Sequence, residues 1–188
     1  MFSCAGVGIR HQKRNPGIFK AWAGLRAAII LAMVLGTIKV EGAPPADPLV
    51  HKPAPAFVRT DLNDHRIDLA AYRGRVVLLT FWATWCAPCQ IEMPRFVEWQ
   101  NRYGPHGLQI VGVSMDDDRA PVIALTRKRK INYPIIMGDE KLGALYGGIL
   151  GLPVTYLIGR DGIILKKFKG ESSLARMERE IQMALGKT

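Results

Sequence analysis

Cys86 and Cys89 are the residues of this chain whose type and spacing most clearly indicate chemistry. They follow the apolar run 76–81 and precede a stretch of helix-like composition, so both thiols are expected where a strand passes into a helix. A cysteine at a helix N-terminus faces unpaired backbone N–H groups and the positive end of the dipole, which stabilise its thiolate. Because the thiolate is the nucleophile in disulfide exchange, we expect Cys86 to attack and Cys89 to resolve the mixed disulfide.

Glu92 is the acidic residue best placed to assist this chemistry. It lies three residues after Cys89 and therefore on the same flank of the predicted helix. A carboxyl group there, if partly buried, would exchange protons with the resolving thiol. The alternative is a solvent-facing charge near the start of the helix, which the dipole also favours.

The pair of cysteines has two other readings, a structural disulfide and a structural zinc site. A disulfide across so short a loop stabilises the fold by only about 2 kcal/mol in the chain-entropy model. A zinc site needs more ligands than this pair and four scattered histidines readily supply. We therefore expect a redox-active disulfide, with no metal and no cofactor.

Composition favours one folded domain with an extension. The chain has 188 residues, of which 48% are hydrophobic and 22% charged, which argues against disorder and against a polytopic membrane protein. The net charge of +10 divides evenly between residues 1–42 and 43–188. The basic run 127–130 lies near the end of a predicted helix without interleaved aromatic residues, so no nucleic acid partner is expected. The third cysteine, Cys4, lies outside the predicted domain.

The N-terminal region has the order of an export signal. Five basic residues precede the uncharged run 27–38. This run is shorter than the roughly 18–20 residues that span a bilayer, which favours a cleaved signal peptide. Extending it back through Trp22 would allow an uncleaved anchor, and a core helix of the domain is a third alternative. The basic residues predict that the remainder lies outside the cytoplasm, in the periplasm of a bacterium.

The rest of the chain predicts an α/β domain. Residues 1–42 are the signal peptide or anchor, 43–55 a Pro-rich linker that acts as a spacer, and 56–188 the folded domain. Strands and helices alternate along this domain, which predicts three layers with helices on both sides of a mixed sheet. The strands are expected at 56–60, 66–69, 76–81, 109–114, 135–137, 154–158 and 163–168, and the helices after Cys86 and at 119–131, 141–146 and 174–185. The acidic run 116–118 is expected to cap the helix at 119–131 and not to bind a metal.

From about residue 54 to residue 170 the chain resembles the thioredoxin-like proteins of the bacterial envelope. This group includes the membrane-tethered thiol-disulfide oxidoreductases of cytochrome c and cytochrome oxidase maturation. The resemblance is carried by the sequence FWATWCAPC at 81–89, by Glu92 with Pro94, by Gly-Leu-Pro at 151–153 and by Asp-Gly at 161–162. It implies a thioredoxin-like fold, a redox disulfide between Cys86 and Cys89, and a proton-handling role for Glu92. Thr80 stands where thioredoxin has a buried aspartate, a departure that the envelope group shares.

The same resemblance implies a substrate contact around Pro153. This residue matches the cis-proline of the family, and the backbone of Leu152 would face the cysteines and pair with an extended substrate segment. Trp85 would contribute to the same contact. Val154 replaces the threonine that usually follows this proline. The alternative is an ordinary trans proline at the start of a strand.

The implied function is an exported, monomeric thiol-disulfide oxidoreductase that reduces disulfides of envelope proteins and receives electrons from a membrane-embedded thiol donor. An oxidising enzyme is the nearest alternative, since Ala-Pro between the cysteines does not reveal the reduction potential. Two further alternatives are a thiol peroxidase on the same fold and a non-catalytic copper-delivery module.

Overall fold

The computed structural model describes residues 47–170 and 172–186. The predicted signal peptide or anchor at 1–42, including Cys4, lies outside these residues, as do the first residues of the predicted linker. In the described ranges, none of the helices combines the length and the apolar character needed to cross a bilayer.

The described chain contains short outer strands and longer central ones. The strands are β1 (Val58–Thr60), β2 (Arg66–Asp68), β3 (Val76–Trp82), β4 (Leu108–Ser114), β5 (Ile135–Met137), β6 (Val154–Ile158) and β7 (Ile164–Lys169). The helices are α1 (Ala87–Tyr103), α2 (Arg119–Lys128), α3 (Glu140–Leu145) and α4 (Leu174–Ala184), with single 3-10 turns at Leu69–Tyr72 and Gly104–His106.

β3 lies at the centre of a five-stranded sheet with the order β5-β4-β3-β6-β7. β3, β4 and β5 run parallel to one another, whereas β6 is antiparallel to β3 and β7 is antiparallel to β6. β1 and β2 form a separate antiparallel pair. The predicted mixed sheet is therefore confirmed.

Both faces of β3 are covered, and all seven of its residues are buried. Leu78 belongs to the same apolar cluster as Phe96 of α1 and Met177 of α4. Its neighbour Leu79 belongs to the cluster on the other face, with Leu142 of α3. Alternate residues of a strand point to opposite faces, so a strand between two helical layers is apolar throughout. The three-layer architecture expected from the sequence is confirmed.

The register of the sheet brings three chain segments to one edge. Trp82 at the end of β3 pairs with Ser114 at the end of β4, and Phe81 pairs with Val154 at the start of β6. The residues that follow β3 and β4 and those that precede β6 therefore meet at this edge. All the residues predicted to do chemistry lie in these segments or in the first two turns of α1.

The helix predicted at 119–131 is shorter in the structure. α2 ends at Lys128, and Lys130 adopts a left-handed backbone with φ of 53°. Pro134 follows soon after and disfavours helical backbone in the residue before it. The other predicted strands and helices lie within two residues of their observed bounds.

Residues 47–55 differ from the free spacer expected of a Pro-rich linker. The N–H of His51 donates to the Ile164 carbonyl at 2.8 Å, and the N–H of Ala54 donates to the Gly162 carbonyl at 2.9 Å. The Lys167 ammonium donates to the Asp47 carboxylate at 2.6 Å. Residues 48–51 form turns, in which the N–H of Val50 donates to the Asp47 carbonyl at 3.0 Å and the N–H of Lys52 donates to the Leu49 carbonyl at 3.1 Å. Other backbone groups of this segment find their partners along the start of β7. The expectation of a free spacer does not hold for these residues.

Asp47→Asn tests how much the contact with Lys167 holds this segment. Burial alone would raise the pKa of Asp47, but the hydrogen bonds from Lys167 and Leu49 and the charges of Lys167 and Lys169 lower it below 3.8. A depressed folded-state pKa stabilises the fold above the unfolded pKa, and this contribution is lost as pH falls through the folded value. We expect Asp47→Asn to lower the free energy of unfolding by about 1–2 kcal/mol at pH 7 and by less at acid pH.

Urea unfolding at both pH values measures this effect. Asp117→Asn is the matched control, because Asp117 is exposed and makes no hydrogen bond or ion pair with any described residue, while its charge change is the same. Equal losses in the two variants at pH 7 would contradict a specific role for the ion pair.

Candidate active site

Cys86 occupies the N-cap position of α1, with an extended backbone at φ −84° and ψ 99°. Its Sγ accepts a hydrogen bond from the N–H of Cys89 at 3.2 Å. Pro88 lies in the first turn, where its missing N–H leaves no donor unpaired. The first turn of α1 thus directs an N–H group and the positive end of the helix dipole at the sulfur of Cys86, an arrangement that lowers a thiol pKa.

Cys86 and Cys89 are joined by a disulfide, with their Cα atoms 5.3 Å apart. The predicted pairing is confirmed. Both residues are nearly inaccessible, at 4% and 3% exposure, whereas the preceding Trp85 is 71% exposed. The exposed surface next to Cys86 in the chain is therefore the indole of Trp85.

Glu92 is buried beneath this surface at 5% exposure, so the solvent-facing alternative is wrong. Its Oε2 has no hydrogen-bond partner within the described chain, and burial raises the pKa of Glu92 from 4.5 to about 7. Tyr133 is a buried neighbour whose pKa is raised by burial and, second, by the charge of Glu92. A carboxyl group with a pKa near 7, one turn after Cys89, can both accept and return a proton at neutral pH.

The Leu152–Pro153 peptide bond is cis, as the resemblance implies. Val154, the next residue, pairs with Phe81, so this peptide lies opposite the end of β3. The Pro153 carbonyl accepts the Gly170 N–H at 2.9 Å. The backbone N–H and carbonyl of Leu152 make no hydrogen bond to any described residue, which leaves both groups free to pair with another chain.

Thr80 lies in the middle of β3, at the position where thioredoxin carries an aspartate. It is buried, and its hydroxyl accepts a hydrogen bond from the Thr155 hydroxyl at 2.9 Å. This pair satisfies the polar groups without a charge. Glu92 is therefore the buried carboxyl group that the described chain places on the flank of the dithiol helix.

Asp116 is a site residue that the sequence reasoning missed. It is buried, and its carboxylate accepts hydrogen bonds from the Thr84 N–H at 2.9 Å, the Thr84 hydroxyl at 2.5 Å and the Ser114 hydroxyl at 2.7 Å. Gln90 of α1 donates to the Thr84 carbonyl at 2.8 Å and accepts from Arg129 at 2.8 Å. The loop between β3 and Cys86 is thus held from both sides.

The capping role expected for residues 116–118 needs correction. Asp118 takes the N-cap position of α2, but its side chain makes no capping hydrogen bond. Asp116 instead binds the loop after β3, because the carboxyl ends of neighbouring parallel strands meet at one edge of a sheet. The expected adjacency of β3 and β4 was the sequence signal that could have placed Asp116 beside this loop. Within the described ranges, no group of three or more His, Cys, Asp or Glu side chains is arranged to hold a metal ion.

Comparison with known proteins agrees with this geometry. The sequence model of the AhpC/TSA family matches residues 50–167. The chain belongs to the AhpC/TSA family. Within it, the chain is 33% identical over 131 residues to the thiol-disulfide oxidoreductase ResA of Bacillus thuringiensis subsp. konkukian, covering 69% of this chain and 75% of that protein. It is 34% identical over 131 residues to ResA of Geobacillus kaustophilus, covering 69% and 74% of the two chains.

A solved structure supports the same assignment. The thiol:disulfide interchange protein of the thioredoxin family from Chlorobium tepidum superposes with a TM-score of 0.67 at 29% identity, over 76% of this chain and all of that chain. This AhpC/TSA family member is a thiol-disulfide oxidoreductase with a thioredoxin-like α/β fold.

The burial of Glu92 predicts a measurable pH dependence of stability. Because its folded-state pKa is raised, the neutral form favours folding, and this contribution is complete below pH 4.5 and lost as pH rises through about 7. We expect Glu92→Gln to be more stable than the parent at pH 8, by about 2–3 kcal/mol, and this gain to vanish near pH 4. Urea unfolding of the disulfide form at both pH values measures it. Glu140→Gln is the control, because Glu140 is exposed and makes no hydrogen bond or ion pair with any described residue. A pH-independent gain from Glu92→Gln would refute the raised pKa.

Thr84→Val tests the clamp formed by Asp116. Valine keeps the shape of threonine but removes the hydroxyl donor, so the buried carboxylate loses one of its hydrogen bonds. We expect a loss of about 1.5–3 kcal/mol in the free energy of unfolding, together with slower disulfide exchange. Unfolding and exchange with a model disulfide are measured on the same sample. Thr126→Val is the control, because the Thr126 hydroxyl donates to a carbonyl of its own helix, and an equally small effect from both variants would exclude the clamp.

Proposed function

We propose that this oxidoreductase is exported and reduces disulfide bonds of proteins in the bacterial cell envelope. The observation that carries the proposal is the position of Cys86, whose sulfur faces the first turn of α1 and is bonded to Cys89. Reduction of this disulfide yields two thiols that together can deliver two electrons to a substrate.

The first step is attack by the Cys86 thiolate on one sulfur of the substrate disulfide. A sulfur–sulfur bond forms between Cys86 and the substrate while the bond within the substrate breaks. The leaving thiolate takes a proton from solvent. Stabilisation of the Cys86 thiolate by the helix N-terminus makes this step accessible at neutral pH.

The second step is resolution by Cys89. Its thiol gives a proton to the Glu92 carboxylate, and the resulting thiolate attacks the sulfur of Cys86. The Cys86–Cys89 bond forms and the bond to the substrate breaks. The second substrate thiolate is released and takes a proton from solvent, while Glu92 returns its proton to solvent. The substrate has gained two electrons and two protons, and the pKa of Glu92 near 7 suits it to this transfer.

Substrate binding is assigned to Trp85, Leu152 and Pro153. The unpaired backbone groups of Leu152 support pairing with an extended segment of the substrate, a form of strand addition that tolerates many sequences. The exposed indole of Trp85 supplies apolar contact area beside Cys86. One contact pairs with the substrate backbone and the other with its apolar surface. Together they would orient the substrate disulfide without requiring a particular substrate sequence.

Export follows from the basic residues and apolar run of the N-terminal 42 residues, which act as a signal peptide or an anchor. A reductase outside the cytoplasm needs a source of electrons, and we assign this role to a membrane-embedded dithiol donor. The resemblance to the cytochrome maturation group makes the haem-binding or copper-binding cysteines of envelope proteins the proposed substrate class.

Trapping of a mixed disulfide tests the proposal. We expect full-length Cys89→Ser, expressed in the native host, to hold its partner on Cys86, because the step that releases the partner is removed. Mass spectrometry identifies the adduct and the compartment from which it comes. Cys86→Ser is the matched control, and stable adducts with this variant in place of Cys89→Ser would reverse the assignment of the two thiols.

Two measurements distinguish the alternatives. A reduction potential of the Cys86–Cys89 couple near −120 mV, at the oxidising end of the family of dithiols, would contradict the reductase direction. Rapid turnover of hydrogen peroxide that is lost in Cys86→Ser would favour a thiol peroxidase. Copper binding that requires both cysteines, without exchange activity, would favour a delivery module.

A further inference from the structure

A groove of about 280 Å³ opens beside the Leu152–Pro153 peptide. We call it the lysine groove, after the two lysines that line it. The residues of its wall that matter below are Leu150, Gly151, Val154, Lys167, Lys169 and Gly170.

Glycines keep the lysine groove open. A Cβ atom built on Gly151 or Gly170 would meet nothing within 4 Å. Leu150, between these walls, is fully exposed at 100%. The groove therefore has room for a side chain from another molecule and an apolar rim against which that side chain can pack.

The two lysines of the groove differ in their partners. Lys167 is largely buried, binds the Asp47 carboxylate at 2.6 Å and lies 4.9 Å from the centre of the Tyr156 ring. Lys169 is exposed and makes no ion pair with any residue in the described ranges. None of the described residues that line the groove is acidic. Asp47 pairs with Lys167 and acts on Lys169 only through its charge, so the groove carries one positive charge that is not neutralised by a direct contact within the described chain.

The lysine groove is continuous with the proposed substrate contact. Lys169 pairs with Val154, and Val154 pairs with Phe81, so the three residues form a row across β7, β6 and β3 at the edge that holds the dithiol. Neighbouring strands lie about 4.8 Å apart, which places Lys169 roughly 10 Å from the end of β3. An extended chain covers that distance in about three residues.

We propose that the lysine groove binds the part of a substrate next to its reactive cysteine, and that Lys169 selects an acidic side chain there. This inference rests on the proposed function, because it assumes that a substrate pairs with the backbone of Leu152. It adds a preference to a contact that is otherwise tolerant of sequence: an aspartate or glutamate within a few residues of the disulfide is favoured.

Defined peptides test the preference with the full-length reduced protein. Each peptide carries one cysteine as a mixed disulfide with 2-mercaptoethanol, and an aspartate or an asparagine at one of four positions on either side of it. Acid quenching and mass spectrometry give the rate of thiol release. We expect the aspartate peptide to react about two- to fivefold faster than the asparagine peptide at one position, the range of an exposed ion pair. High salt should bring this ratio toward one.

Two variants and a control assign the preference to the groove. Lys169→Ala should abolish the ratio, whereas Lys128→Ala on exposed α2 should retain it with the same change in net charge. Gly151→Phe should also abolish the ratio, because the new side chain would occupy the open space of the groove. The substitution is sterically tolerated, since a Cβ on Gly151 meets nothing within 4 Å and its backbone is not left-handed. The rate with hydroxyethyl disulfide, which is too small to reach the groove, corrects each variant for its intrinsic reactivity.

The outcomes separate this inference from the proposed function. Equal rates for aspartate and asparagine at every position, or a ratio that persists in Lys169→Ala, would overturn the inference while exchange itself remains. Failure of the parent protein to reduce any of the disulfides would refute both. Binding to anionic lipid vesicles that depends on Lys169, without a peptide preference, would assign the groove to a membrane surface and also overturn it.

Discussion

The sulfur of Cys86 has to lie where a helix begins, and most of the structure serves that constraint. A thiolate is stable at neutral pH only where donors and a positive field converge on it, and the first turn of α1 supplies both. β3 carries the chain to this point from the middle of the sheet, where its burial on both faces fixes its position. Asp116 then holds the three-residue loop between strand and helix, so the orientation of the sulfur does not depend on a mobile connection.

Glu92 is the site residue whose burial lowers the stability of the fold. Glu92 is buried without a hydrogen bond to one of its oxygens, and burial of a carboxyl group in this way disfavours its charged form. A glutamine or a leucine at this position would avoid the free-energy cost of burying a carboxylate at neutral pH. Under the proposed mechanism the carboxyl group has a chemical reason to be there, since a group that titrates near neutrality on the flank of Cys89 can hold the proton that this thiol must lose.

The local parts of the site were accessible from the sequence, and the parts that depend on distant contacts were not. The apolar run of β3, the position of Cys86 at the start of a helix and the flank shared by Cys89 and Glu92 follow from periodicity and spacing alone. The cis bond before Pro153 required the family resemblance, because local sequence allows both isomers. Asp116 stood in a run of three acidic residues before a helix, a pattern typical of capping, and only the register of β3 against β4 brings it to Thr84. The packing of residues 47–55 was missed because proline content predicts an extended backbone but not the surface that receives it.

Both edges of the sheet are partly covered by other segments of the described chain. An edge strand exposes a row of unpaired backbone groups that can pair with the same strand of another molecule. At one edge, the N–H of Leu62 donates to the Ile135 carbonyl of β5, so the segment after β1 shields that strand. At the other, the Pro-rich segment covers the beginning of β7, and lysines occupy most of what remains. Both covering segments precede β3, the first long strand. The N-terminal part of the domain therefore protects the two edges of the sheet from intermolecular strand pairing and aggregation.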